Sequence, residues 1–111
     1  MSKINVLLVK PEQSPLRVEM ENSLESLQAA VGGYIQVVYP FDDPIGLVCN
    51  EDGKLISLPM NRALRDGNGQ IYDIVAGDFL IVGLTEDDFG SLSQELMDRY
   101  EKVFYHPEIF C

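Results

Sequence analysis

The feature that most narrows the possible folds is the place where the hydrophobic period changes along the chain. Residues 4–9, INVLLV, are apolar at nearly every position and rich in β-branched side chains, the pattern of a strand buried on both faces. After a loop from Pro11 to Pro15, Leu16, Val18 and Met20 alternate with Arg17 and Glu19, which predicts a half-exposed strand paired with the first. The period then lengthens. Leu24, Leu27 and Val31 recur at helical spacing, Asn22 and Glu25 stand three apart as a capping box, and Gly32–Gly33 closes the helix. Residues 34–39, YIQVVY, form a third strand, stopped by Pro40 and the Asp42-Asp43-Pro44 turn.

Further on, Ile45–Asn50 and Lys54–Leu58 flank Glu51-Asp52-Gly53, the clearest hairpin signal in the chain. Asp66–Gly69, DGNG, marks a second tight turn, Ile71–Val75 reads as a short strand or extended segment, and Phe79–Leu84 has the apolar centre of a middle strand. The last third is helical. Ser91 and Gln94 repeat the capping-box spacing, while Phe89, Leu92, Leu96, Tyr100, Val103 and Phe104 mark one apolar face. Glu86, Asp87 and Asp88 precede this helix, where its dipole favours negative charge. The tail, FYHPEIF, is aromatic enough either to fold back on the core or to meet another chain. Together these segments predict an α+β fold: a mixed or mainly antiparallel sheet of five to six strands with two main helices packed on it. At 111 residues the chain is expected to be one globular domain with a core that needs no staples.

Composition excludes several classes. No run of about 18 apolar residues occurs, and residues 1–10 lack the parts of a signal peptide, so a cytoplasmic protein without membrane partners is expected. Cys49, in an apolar run, and the terminal Cys111 are expected to be reduced. Eighteen acids against eight bases give a net charge of −10, which repels nucleic acid at long range. The same charge fits either plain solubility or a decoy whose carboxylates imitate DNA phosphates.

The residues for catalysis are sparse. His106 is the only histidine, so no histidine pair can hold zinc, and nothing in the sequence orients its ring toward Cys49. Gly67, Asn68 and Gly69 lack the lysine and spacing of a phosphate loop. Adjacent carboxylates at Asp42-Asp43 and Asp87-Asp88 point apart and serve a turn and a helix start better than acid–base work. No cofactor is expected.

What remains is one polar constellation: Asn50, Asn61, Arg62, Arg65 and Tyr72, with Asp73 beside them. Residues 54–65 hold Lys54, Arg62 and Arg65 and no acid, the one locally positive stretch of an acidic chain. Arginine forks suit phosphate or carboxylate, and a carboxamide can fix a peptide group, so these residues are read as a binding rim. The structural alternative has Asn61 capping a short NRAL turn while Arg62 and Arg65 pair with Asp66, Asp73 or Glu51.

The blocks LESLQAAVGGYIQVVYP, LVCNEDGKL, LPMNRAL and YDIVAGDFLIVG, from Leu24 to about Leu84, resemble a family of small bacterial proteins of unknown function carried by phages, plasmids and conjugative elements, especially of gut Firmicutes. The family-like positions are Gly32, Gly33, Asn50, Gly53, Asn61, Arg62 and Gly77. The resemblance implies a cytoplasmic accessory protein of mobile DNA and no specific activity. Three functions follow in order: a non-enzymatic binding protein for a host protein or small anionic ligand, with counter-defence as one role; an acidic decoy of a DNA-binding protein; and a small enzyme without a recognisable motif. A monomer or weak homodimer is expected.

Overall fold

The computed structural model describes residues 3–110. Eight strands and two helices run in the order β1 (Lys3–Val9), β2 (Leu16–Glu21), α1 (Leu24–Val31), β3 (Ile35–Val38), β4 (Ile45–Asn50), β5 (Met60–Arg65), β6 (Ile71–Ala76), β7 (Phe79–Leu84), β8 (Phe89–Gly90) and α2 (Gln94–Val103). Six strands form one antiparallel sheet in the order β2-β1-β7-β4-β3, with β8 also paired to β7. β5 and β6 form a separate antiparallel hairpin.

The alternation of side chains sorts this sheet into two cores. Ile4, Val6, Val48, Leu80 and Val82 face one way and pack against Leu27 and Val31 of α1. Leu7, Val9, Ile45, Leu47, Phe79 and Ile81 face the other way, under Met97, Tyr100 and Phe104 of α2 and under Leu64 and Val75 of the hairpin. The helices therefore lie on opposite faces, and the apolar runs of β1 and β7 are explained by burial on both sides. β7 takes the central position its FLIV core predicted.

Several local readings change. The segment 54–58 is not a strand, because both edges of β4 are already paired, to β3 and β7, and a strand there would have no ladder to join. Residues 51–58 instead coil into a compact turn, with Ile56 N–H donating to Asp52 O (3.0 Å), Leu58 N–H donating to Gly53 O (2.9 Å) and Ser57 at φ 59°. Residues 61–64 are not a capped turn but the centre of β5, and the DGNG turn joins it to β6. Each helix starts one or two residues later than its capping signal. Ser23 Oγ accepts from Ser26 N–H at α1, and Ser93 Oγ accepts from Leu96 N–H at α2. Asn22 is diverted to Asp88 and the Phe89 carbonyl, and Ser91 to the Asn5 N–H. The acids 86–88 belong to the β7–β8 turn, closed by Thr85 N–H to Asp88 O (2.8 Å), not to the helix start. On α2 the buried face includes Met97, which the stripe omitted, while Val103 is exposed.

Gly32 ends α1 in the left-handed region at φ 79°, as its position predicted. The tail returns to its own chain. Phe104 is buried against Phe79, and the Glu108 carboxylate accepts from Ala63 N–H (3.1 Å) and from Arg65 (2.8 Å), whereas Tyr105 and Ile109 stay exposed. Cys49 is a buried free thiol, and Cys111 lies outside the described residues.

Candidate functional site

The polar residues singled out by sequence do not share one rim. Asn61 is 0% exposed and Arg62 1% exposed. Asn61 Nδ2 donates to Val9 O and to Gly77 O, both at 2.9 Å, fastening the end of β1 to the β6–β7 turn. Gly77 is required there: its φ is 82°, and a Cβ would stand 2.7 Å from Leu58 Cδ1.

Arg62 uses every donor it has. Nε and Nη2 donate to Phe104 O (3.3 and 2.9 Å), Nη1 donates to Asn61 O and Oδ1 (3.2 and 2.7 Å), and Nη2 also donates to Gln13 O (2.6 Å). No carboxylate touches it. Phe104 is the C-cap of α2, so the cation meets the carbonyl end of that helix, where its dipole favours positive charge. Burial pulls the guanidinium pKa down and Glu108 offsets this in part, yet an arginine remains charged. With all donors engaged, Arg62 has none left for a partner. Neither expected salt bridge forms: Lys54, not an arginine, pairs with Asp73, and Arg65 pairs with Glu108.

Asn50 is also structural. Its Nδ2 donates to Val31 O (3.1 Å) and its Oδ1 accepts from Asp52 N–H (2.8 Å), which ties the end of α1 to the turn after β4. Of the five residues expected to form the rim, only Arg65 and Tyr72 are exposed, and they line different hollows.

Two open hollows flank the hairpin. One, of about 370 Å³, separates β3 and β4 from β6, lined by Gln36, Val38, Cys49, Asn50, Leu64 and Val75 among others. A second, of about 410 Å³, is lined by Met60, Ile71, Tyr72 and Ile74. The Lys54–Asp73 ion pair borders both. Large apolar side chains stand in solvent here: Leu55 is 84% exposed, Ile56 57%, Ile71 53% and Tyr72 56%. The residues that the sequence singled out in this region are its polar ones; the consecutive Leu55-Ile56, read as strand, is the exposed apolar pair it passed over.

Burial pushes the Cys49 thiol pKa up, and the charge of Asp73 adds to that, so the thiol stays protonated at neutral pH. His106 sits in the tail with its ring edge-on to Tyr105, centroids 5.2 Å apart. Among the described residues no group of three His, Cys, Asp or Glu could hold a metal ion, and no buried side-chain polar atom lacks a partner. Among the described residues no helix is long and apolar enough to cross a membrane.

A domain of unknown function, DUF3846, matches residues 4–105. The chain belongs to this family. No curated protein and no solved structure matches it. The match runs from the second residue of β1 past the end of α2, and the family-like positions named above all carry structural duties here: Gly32 and Gly77 in left-handed turns, Gly33 against the Asn50 amide, Gly53 against the Ala76 carbonyl, and Asn50, Asn61 and Arg62 in the bonds just described.

Proposed function

We propose that this member of the family is a non-enzymatic binding protein of the bacterial cytoplasm, an accessory protein of mobile DNA, and that its partner is a basic protein. The observation that carries this reading is the exposure of Leu55, Ile56, Met60, Ile71 and Tyr72 on the hairpin and its entry turn, all but Ile56 lining one of two hollows. A monomer gains nothing by leaving such side chains in water, and patches of this kind mark interaction surfaces. Net charge −10 favours a cationic partner and speeds its encounter. A small anionic ligand is less well served, because Lys54, Arg65, Arg17 and Arg99 each face a carboxylate. The resemblance of the 24–84 blocks to proteins of phages and plasmids supports the setting, in which counter-defence is one role.

The test compares the wild type with an Ile71→Ser/Tyr72→Ser double variant. Proteins captured from a bacterial lysate are purified and titrated against both. The reading expects a basic partner whose affinity falls by about tenfold or more in the double variant, at unchanged melting temperature. Equal affinity for the two removes this surface. A partner set of DNA-binding proteins, released only by Glu86→Gln, Asp87→Asn and Asp88→Asn together, replaces it with the acidic decoy.

A further inference from the structure

We propose that the open edge of β3 receives an extended strand of the partner, carrying basic residues at both of its ends; this rests on the reading of the chain as a protein-binding module. The argument begins with backbone parity. Glu51 N–H donates to Tyr34 O and Leu84 N–H donates to Pro44 O, and the hydrogen-bonded pairs alternate from those points along β3–β4 and β4–β7. Both counts agree: Gln36 and Val38 bond toward β4, so the N–H and C=O of Ile35 and Val37 point away from the sheet. Nothing else among the described residues bonds to them.

The opposite edge is guarded. β2 carries Arg17, Glu19 and Glu21, and Arg17 is held by Asp98 and Glu101, the kind of charge that keeps an edge from pairing. β3, IQVV, carries no charge at all. Its side chains divide as a recognition strand's should. Gln36 and Val38 line the 370 Å³ hollow, and Ile35 and Val37 pack toward α1. An added strand would continue this alternation, taking affinity from backbone bonds and selectivity from the side chains it sets beside the hollow. Tyr34 and Tyr39, 69% and 63% exposed, bracket the edge and offer flat apolar contact at either end.

Charge selects the occupant. Glu51 and Asp52 stand at the Tyr34 end and Asp42 beyond Tyr39, all exposed, with no basic residue between Tyr34 and Asp42. A strand with lysine or arginine at its two ends and β-branched residues between them complements this pattern. A second copy of the chain does not, because it would bring the same acids and another net charge of −10.

The experiment selects short random peptides on display against the full chain. The expected winners have alternating β-branched or aromatic centres and basic ends, and weaken about tenfold or more when those ends become glutamate. Saturation with a winner should slow amide exchange at Ile35 and Val37 about tenfold or more. Val37→Pro removes an outward N–H and no ladder bond, so it should keep the fold and lose the peptide. Winners bound equally by Val37→Pro, or no slowing at Ile35 and Val37, overturn the proposal; should Val37→Pro fail to fold, the exchange measurement on the wild type decides. Winners lost only in Ile71→Ser/Tyr72→Ser overturn strand addition and keep the protein-binding reading, whereas an absence of winners sinks the proposal and leaves that reading to the lysate titration. A dimer in light scattering that Val37→Pro dissolves would give the edge to a second copy and overturn the basic strand.

Discussion

Arg62 and Arg17 carry the same guanidinium into opposite settings. Arg17, on β2, reaches across to α2 and donates to Asp98 (2.7 Å) and to both oxygens of Glu101 (2.9 and 3.0 Å), in contact with water. Arg62 lies under the tail with no carboxylate on it and five bonds to neutral oxygens. At the surface, water screens the pair and shares the cost of ordering it, so the contact adds little. In the interior a cation must be solvated by the protein itself, and the Phe104 carbonyl at the end of α2 does so in place of water. The difference teaches which arginine holds the fold: the one without an ion pair.

The largest expected effect is at Arg62. Arg62→Met keeps the length of the side chain but strands the carbonyls of Phe104, Gln13 and Asn61 in a buried site, and should cost about 3 kcal/mol or more in denaturant unfolding. Arg62→Lys should recover only part of this, since an ammonium has three donors and no fork. Asn61→Ala follows, at about 2 kcal/mol, because Val9 O and Gly77 O lose their shared donor. Either variant at wild-type stability would mean that the clasp is not closed in solution.

Arg17→Ala should give the smallest effect, a slight drop in melting temperature, and acid should erase it. Hydrogen bonds from Arg17 hold both Asp98 and Glu101 below the usual carboxylate range. A carboxylate whose folded-state pKa is depressed contributes stability that is complete above its unfolded value, about 4, and fades as pH falls through the folded value. The melting difference between wild type and Arg17→Ala should therefore shrink below about pH 4 and also in high salt. The Arg62→Met difference should persist in both, since its acceptors are carbonyls and do not titrate. If the two differences respond alike to acid, the contrast fails.

The readings that survived rest on periodicity over several residues. β1 and β7 are continuous apolar runs, and no setting but a covered central position accommodates them, so their place was legible. The pairing of β1 with β2 was legible because a short loop leaves two alternating runs little else to do. Lys54–Leu58 misled because a strand is defined by its neighbour as much as by its own residues. β4 had been claimed on both sides by segments distant in sequence, and no local pattern reports that. The caps moved for the same reason: Asn22 and Ser91 are good cap residues that found partners across the molecule, Asp88 and Asn5, while Ser23 and Ser93 took over locally.

The candidate site divides along the same line. Sequence alone determined that the stretch around the hairpin is chemically unlike the rest of the chain, since charge, carboxamides and glycines can be counted without coordinates. It also determined the α+β composition, because the hydrophobic period is a property of the chain. Only the tertiary structure decided that Asn61 and Arg62 point inward while Leu55, Ile71 and Tyr72 point outward, and that β3 ends the sheet with its outer edge unpaired. Burial is set by what the rest of the chain places on top of a residue. For Arg62 that cover is Phe104, 42 residues away, whose carbonyl turns a surface cation into a buried one.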